Sequence, residues 1–369
     1  MSPAQLEIQA IAAVTAMGCS VVGVFLVLRR LAMLSDAISH SILLGIVVAF
    51  FVVEDTTSPL LVLAAAATGI LTVSLVELLH RTRLVREDAA IGLVFPALFS
   101  LGIVLITRYA GNVHLDTDMV LLGELAFAPF ERLVVAGNDL GPKHLYLMGG
   151  ITLLNYLFVT VFFKEIKLAT FDAGLAAALG FSPVLIHYSL MALTSLTVVG
   201  AFDAVGLILV VALMVGPPAA AYLLTDRLPR LIALAALFGM MAAVAGYWLA
   251  YWLDASIAGC MAIMVGAEFL IVYLIAPGRG LVAIFRRRAR QKWEFARAML
   301  AIHIFQHEGL PEAEQECRAD HLQEHLRWRP QFSERVVRSA TERGLIEQQG
   351  ELLALTARGR ALAERALVR

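Results

Sequence analysis

Asp36 and His40 stand four residues apart in the apolar run Leu34-Ser35-Asp36-Ala37-Ile38-Ser39-His40. On a helix that spacing projects both side chains from one face. A carboxylate oxygen and an imidazole nitrogen so placed can share a divalent ion, and the mixed donors suit manganese, iron or zinc better than magnesium or an alkali ion. The same groups could instead hydrogen-bond to neighbouring helices and satisfy only themselves. Ionisable side chains within an apolar span are costly enough to be functional candidates by default.

Further residues have types that could serve an ion. Asp203 lies in Val199-Gly200-Ala201-Phe202-Asp203-Ala204-Val205-Gly206, read as a turn so short that its two glycines must carry it. Its carboxylate is either a second ligand or a turn residue. Glu268 sits inside a later apolar run and is either on an ion path or hydrogen-bonded within a bundle. His187, near a span end, reads as interfacial or packed. His114, Asp116 and Asp118 alternate, as on one face of an extended stretch. They suit an outer vestibule or simply a solvated loop. Near the C-terminus, Cys317, His321 and His325 recur every four residues and would share a helix face, as would His303 and His307. These ligand types suit zinc.

The elements that position these residues follow from composition. With 60% hydrophobic residues among 369, the chain exceeds the roughly 45–50% of soluble domains. A bilayer core about 30 Å thick takes about 20 apolar residues per helix. Nine stretches qualify: 5–28, 31–53, 59–79, 89–107, 145–163, 184–200, 204–224, 231–252 and 257–275. The expected fold is an all-α polytopic membrane protein with about nine transmembrane helices, eight to ten being admissible. A small cytoplasmic α+β domain of winged-helix type follows. At about 1.5 Å per residue, Asp36 falls about 7 Å deep and His40 near mid-membrane.

The first span has neither a basic leader nor a small-residue cleavage site, so it reads as a retained helix. One set of connections holds Arg29, Arg30, Arg81, Arg83, Arg86, Lys164, Lys167, Arg227 and Arg230, and the other only Arg108, Arg132 and Lys143. The positive-inside rule then puts the N-terminus outside and the C-terminus in the cytoplasm of a bacterial plasma membrane. Acidic residues of the outer connections, Glu54, Asp55 and Asp254 among them, give a field attractive to cations. They also fill places that the same rule denies to bases. Cys19, Cys260 and Cys317 are far apart and suggest no disulfide.

Three regions are expected: 1–278 in the membrane, a basic linker 279–292 against anionic headgroups, and a tail 293–369. In the tail, helices over 293–307, 319–328 and 332–343 precede two short strands joined by a Gln-Gly turn. Its 11 Lys plus Arg against 12 Asp plus Glu lack the basic excess that phosphate neutralisation needs. That balance argues against nucleic acid and for a protein-contact or regulatory module.

No G-x-x-x-x-G-K-[ST] loop occurs in the chain, so hydrolysis of ATP by that route would fall to a separate subunit. Between 164 and 183 the run Phe171 to Gly180 starts after a capping Asp172 and stops at Gly180, a short helical knob on the cytoplasmic face.

The stretch Arg29-Arg30-Leu31-Ala32-Met33-Leu34-Ser35-Asp36-Ala37-Ile38-Ser39-His40 resembles the signature of the manganese/zinc/iron permease family of ABC importers. Arg86 to Gly92, and Ala204 to Val210 running on to Pro217-Pro218-Ala219, are similar to it as well. The resemblance spans about residues 5 to 280. It implies a permease with no permanently bound cofactor, paired with a second, identical or paralogous permease. Two ATP-binding cassette subunits and an extracytoplasmic metal-binding protein would complete the assembly, and the cargo would be Mn2+, Zn2+ or Fe2+. It assigns the metal to Asp36 and His40, and ATPase coupling to the region of Phe171, Asp172, Gly174, Leu179 and Gly180. The tail, closing on Leu355-Thr356-Ala357-Arg358-Gly359, resembles the DNA-binding domain of metal-dependent repressors. Two other functions stay open: a membrane-anchored metal-responsive transcriptional regulator, and a proton- or sodium-coupled metal carrier.

Overall fold

The computed structural model describes residues 2–53, 58–109, 125–135, 138–311, 313–318, 321–322 and 326–367. Backbone contacts divide the chain into two compact units, Met1–Ala276 and Pro277–Arg369.

The first unit opens with α1 (Pro3–Leu28), α2 (Ala32–Val53), α3 (Pro59–Arg81) and α4 (Glu87–Tyr109). A small antiparallel hairpin follows, β1 (Arg132–Val135) with β2 (Asn138–Pro142). Next come α5 (Lys143–Val161), α6 (Phe163–Phe171) and α7 (Ala173–Ala178). The last four are α8 (Pro183–Val205), α9 (Leu207–Leu224), α10 (Leu228–Leu253) and α11 (Ile257–Ile275). Among the described residues nine helices are long and apolar enough to span a bilayer. They coincide with the nine stretches expected from hydropathy.

Without a strong hydrophobic drive between helices in lipid, close backbone approach through small residues does much of the packing. α1 is the most enclosed span and packs on α5, α8, α9 and α10. Two of its residues answer an irregularity in α9. Pro217 and Pro218 lack the N–H groups that would bond the carbonyls of residues 213 and 214. The Ser20 hydroxyl donates to the Leu213 carbonyl at 3.4 Å. Gly23 lies against the Met214 carbonyl so closely that a Cβ there would sit 2.0 Å from its oxygen. α2 packs on α3 and α4, and Gly45 lets it approach the backbone of Ala64 in α3.

The second unit contains α12 (Leu281–His307), α13 (Ala313–Glu316), α14 (Pro330–Glu342), the hairpin β3 (Ile346–Gln349) with β4 (Leu352–Leu355), and α15 (Ala357–Leu367). The basic stretch and the first tail helix form one continuous α12. The helix expected over 319–328 does not reach its end: residues 326–328 are irregular and Arg327 has φ 49°. Pro330 opens α14 instead, and the residue before a proline avoids helical geometry.

Leu300, Ile304, Leu322, Val336, Ile346 and Leu353 form the core of this unit. Its Leu-Thr-x-x-Gly motif is explained by two contacts. The Thr356 hydroxyl donates to the Gly344 carbonyl at 2.6 Å and accepts from the Gly359 amide at 3.1 Å, tying the turn before β3 to the start of α15. Gly359 packs on the Leu345 carbonyl, where a Cβ would fall 2.0 Å from the oxygen.

Candidate metal path and coupling surface

Asp36 and His40 occupy the fifth and ninth positions of α2, about 6 and 12 Å from its start at 1.5 Å per residue. His40 Nε2 lies 3.5 Å from Asp36 Oδ1, and the two side chains are 29% and 36% exposed. The helix interior thus holds two donors together without sealing them off. The imidazole stacks on Phe95 of α4 with ring centroids 5.6 Å apart, and meets Phe99 edge-on at 5.7 Å. Aromatic faces on one side restrict its orientation while leaving the nitrogen that meets Asp36 open. Neighbouring hydroxyls are occupied locally: Ser39 donates to the Ser35 carbonyl at 2.8 Å, and Thr72 of α3 donates to Ser41 at 2.6 Å. Asp36 and His40 thus stand together on this face as an oxygen and a nitrogen donor, each about one-third exposed.

The other sequence candidates are not all gathered here. Asp203 is not in a turn but in the last turn of α8; the chain reverses at Gly206 alone, with φ 76°. Gly200, expected to carry that turn, is inside the helix and lets it pack on Ile151 and Met148 of α5. Of the Asp203 side chain nothing is described. Glu268 lies on α11, which packs on α9 and α10. Its Oε2 is buried without a hydrogen-bond partner among the described residues. His114, Asp116, Asp118 and His325 lie outside the described residues.

One group escaped the sequence reading. At the end of the bundle where α2 begins and α3 ends, Glu77, His80, Glu87 and His187 line a cavity of about 210 Å³ with Leu31, Leu34, Val73 and Val76. His187 is half-buried, and Arg29 Nη1 approaches its Nδ1 at 3.4 Å while Arg29 Nε donates to Thr170 at 3.2 Å. Burial lowers the Arg29 pKa. Glu77 and His80 are one helical turn apart, a signal of the same kind as Asp36 and His40.

On the connection between α5 and α8, Asp172 caps α7 by accepting the Leu175 amide at 2.8 Å, and Gly180 ends the segment with φ 87°. Phe171, Leu175 and Leu179 are exposed there, giving the knob an apolar face. In the opposite connection, Arg132 joins Asp139 at 2.8 Å and Glu7 at 3.0 Å. Its guanidinium holds the Asp139 carboxyl below the usual carboxylate range.

In the tail, Cys317 and His321 do not share a helix. α13 ends at Glu316, the Leu353 amide donates to the Cys317 carbonyl at 2.9 Å, and Arg318 bridges to Leu352. Pairing with β4 has replaced the helical period on which the expectation rested. Cys317 is buried, and burial with the nearby Glu308 and Glu316 carboxylates pushes its thiol up. Elsewhere in this unit, Arg290, Arg297, Arg335, Arg338 and Arg343, with Glu342, line a cleft of about 380 Å³ beside Trp293, a local excess of positive charge that the balanced composition hides.

Comparison with known proteins decides the family. Residues 5–276 match the model of the ABC 3 transport family. The chain belongs to that family. It is 47% identical over 359 residues to the zinc transport system membrane protein TroD of Treponema pallidum, covering 97% of this chain and 98% of that one, so the likeness includes the tail. It is 48% identical over 264 residues to the manganese transport system membrane protein MntD of Bacillus subtilis, covering 72% and 89%. The solved structure of PsaBC from Streptococcus pneumoniae in complex with Fab superposes with a TM-score of 0.63 at 28% identity, covering 76% of this chain and 94% of that one. This permease of the ABC 3 family thus carries a further unit beyond the family's shared membrane bundle.

Proposed function

We propose that the chain is the membrane permease subunit of an ATP-driven importer of a divalent transition metal, zinc or manganese, and that Asp36 and His40 hold the ion in transit. The carrying observation is the pair itself: an oxygen and a nitrogen donor 3.5 Å apart on one span of a family member, accessible yet backed by aromatic rings. A hydrated cation leaving water needs replacement donors, and these two supply a negative oxygen and a neutral nitrogen. Two protein ligands hold an ion loosely enough to let it go. Relatives named for zinc and for manganese transport support the cargo class.

Energy comes from a partner in this reading. The apolar knob of Phe171, Leu175 and Leu179, fixed by the Asp172 cap, is the surface an ATP-binding cassette subunit would grip. A second permease, identical or paralogous, and an extracytoplasmic metal-binding protein complete the assembly. In this reading the knob and the tail face the cytoplasm, which the basic residues of the connections support. The tail, with its helices followed by a hairpin of winged-helix type, acts as a regulatory module, dispensable for translocation itself.

Reconstitution tests this. Vesicles holding the permease should take up radioactive zinc or manganese only with the ATPase subunit and internal or external ATP on its nucleotide-binding side. Uptake by the permease alone under a proton or sodium gradient would establish a carrier instead.

A further inference from the structure

We infer that His303, His307 and Glu316, with His321 beside them, form a binding site in the tail for one divalent transition-metal cation, zinc held more tightly than manganese.

His303 and His307 are four residues apart on α12 and therefore share a face; their ring centroids are 4.8 Å apart. Glu316, the last residue of α13, comes from a different segment, and the pairing of Cys317 and Arg318 with β4 fixes where that segment lies. One ligand atom from each of His303, His307 and Glu316 falls within 4.8 Å of the other two. Around a tetrahedral zinc with bonds of about 2.0–2.2 Å, donors stand roughly 3.4 Å apart, so adjustments of about 1 Å complete the sphere. His321 Nε2 is 3.5 Å from Glu316 Oε1, within reach as a fourth donor.

The arrangement is assembled before any ion arrives. His303 Nε2 meets the Glu316 carbonyl oxygen at 3.0 Å, so the two segments are already in contact. The side chains of His303 and Glu316 are 8% and 15% exposed and that of His321 is 30% exposed, so access is from the His321 side. Imidazole donors with one carboxylate match zinc, and the Irving–Williams order ranks zinc above manganese for such a set. The donors come from two segments, so a bound ion stiffens the join between α12 and the end of α13. Its role as a sensor of accumulated cargo rests on the importer reading; the site itself does not.

The test uses the purified full chain in detergent. Zinc chloride binding is measured by equilibrium dialysis, and hydrogen exchange is followed over residues 303–317 with and without zinc. The variants are Glu316→Gln with His307→Gln and, separately, Asp36→Asn. Wild type should show zinc-dependent slowing of exchange over 303–317. The tail variant should lose that slowing and about one bound zinc per chain, with metal-free exchange of α14 unchanged. Asp36→Asn should keep the zinc-dependent slowing over 303–317, which separates the tail site from the transport pair. An absence of zinc-dependent slowing in wild type overturns the proposal even where the tail variant fails to fold. So does undiminished zinc binding by a tail variant whose α14 is intact.

Discussion

The membrane span and the tail each bring histidine and carboxylate together, in opposite ways. In α2 two donors on one helix remain about one-third exposed. In the tail three donors from two segments converge with little exposure. Few ligands and open access suit an ion that must leave in every cycle; more ligands and enclosure suit one that stays. Donor type is nearly common to both, so on the proposed reading number, origin and burial of the ligands separate transfer from retention.

The largest expected effect breaks the first half of that contrast. His40→Ala should lower metal uptake by more than the ~10–100-fold that loss of an outer-shell partner costs, whereas Glu316→Gln should leave uptake from metal-free vesicles unchanged. Equal losses in both would erase the distinction. Next, a chain lacking residues 293–369 should retain measurable uptake in vesicles with its ATPase; complete loss despite normal insertion and assembly would make the tail part of the transport machinery.

Smaller effects map the independence of the units. Gly359→Ala puts a methyl against the Leu345 carbonyl and should destabilise the tail by about 1–3 kcal/mol, read by hydrogen exchange there with the spans unchanged. Thr356→Val removes the cap at α15 and should cost about 1 kcal/mol in the same assay. The smallest concerns pH. Asp139 is held below its ordinary pKa by Arg132, so its contribution is present above the unfolded carboxylate pKa and is lost as pH falls through the lowered folded value. In Asp139→Asn, the acid-dependent loosening of the β1–β2 hairpin seen by hydrogen exchange should diminish.

The spans were legible because a bilayer imposes one crude rule, length of apolar run, that tertiary context does not override. The Asp36–His40 pair was legible for a related reason: four-residue spacing has a single meaning on a helix already fixed by hydropathy. Where the helix itself was in doubt, the same spacing misled. Cys317 and His321 look periodic, yet pairing with β4 breaks the period, and the partner that joins His303 and His307 is Glu316, which no spacing links to them. Gly200 looks like a turn residue although it admits α5, because a glycine for packing and a glycine for turning look alike in sequence. Glu77 and His80, three residues apart on α3, carry a similar signal in the sequence.

The most direct test is uptake by Asp36→Asn in the reconstituted complex, measured beside its thermal stability. Asparagine nearly keeps the shape and hydrogen-bonding capacity of aspartate and removes only the charge that offsets the ion. Uptake of radioactive zinc and manganese should fall to background in a complex as stable as wild type. Near-normal uptake would show that the pair serves only to satisfy itself and would remove Asp36 from the ion path.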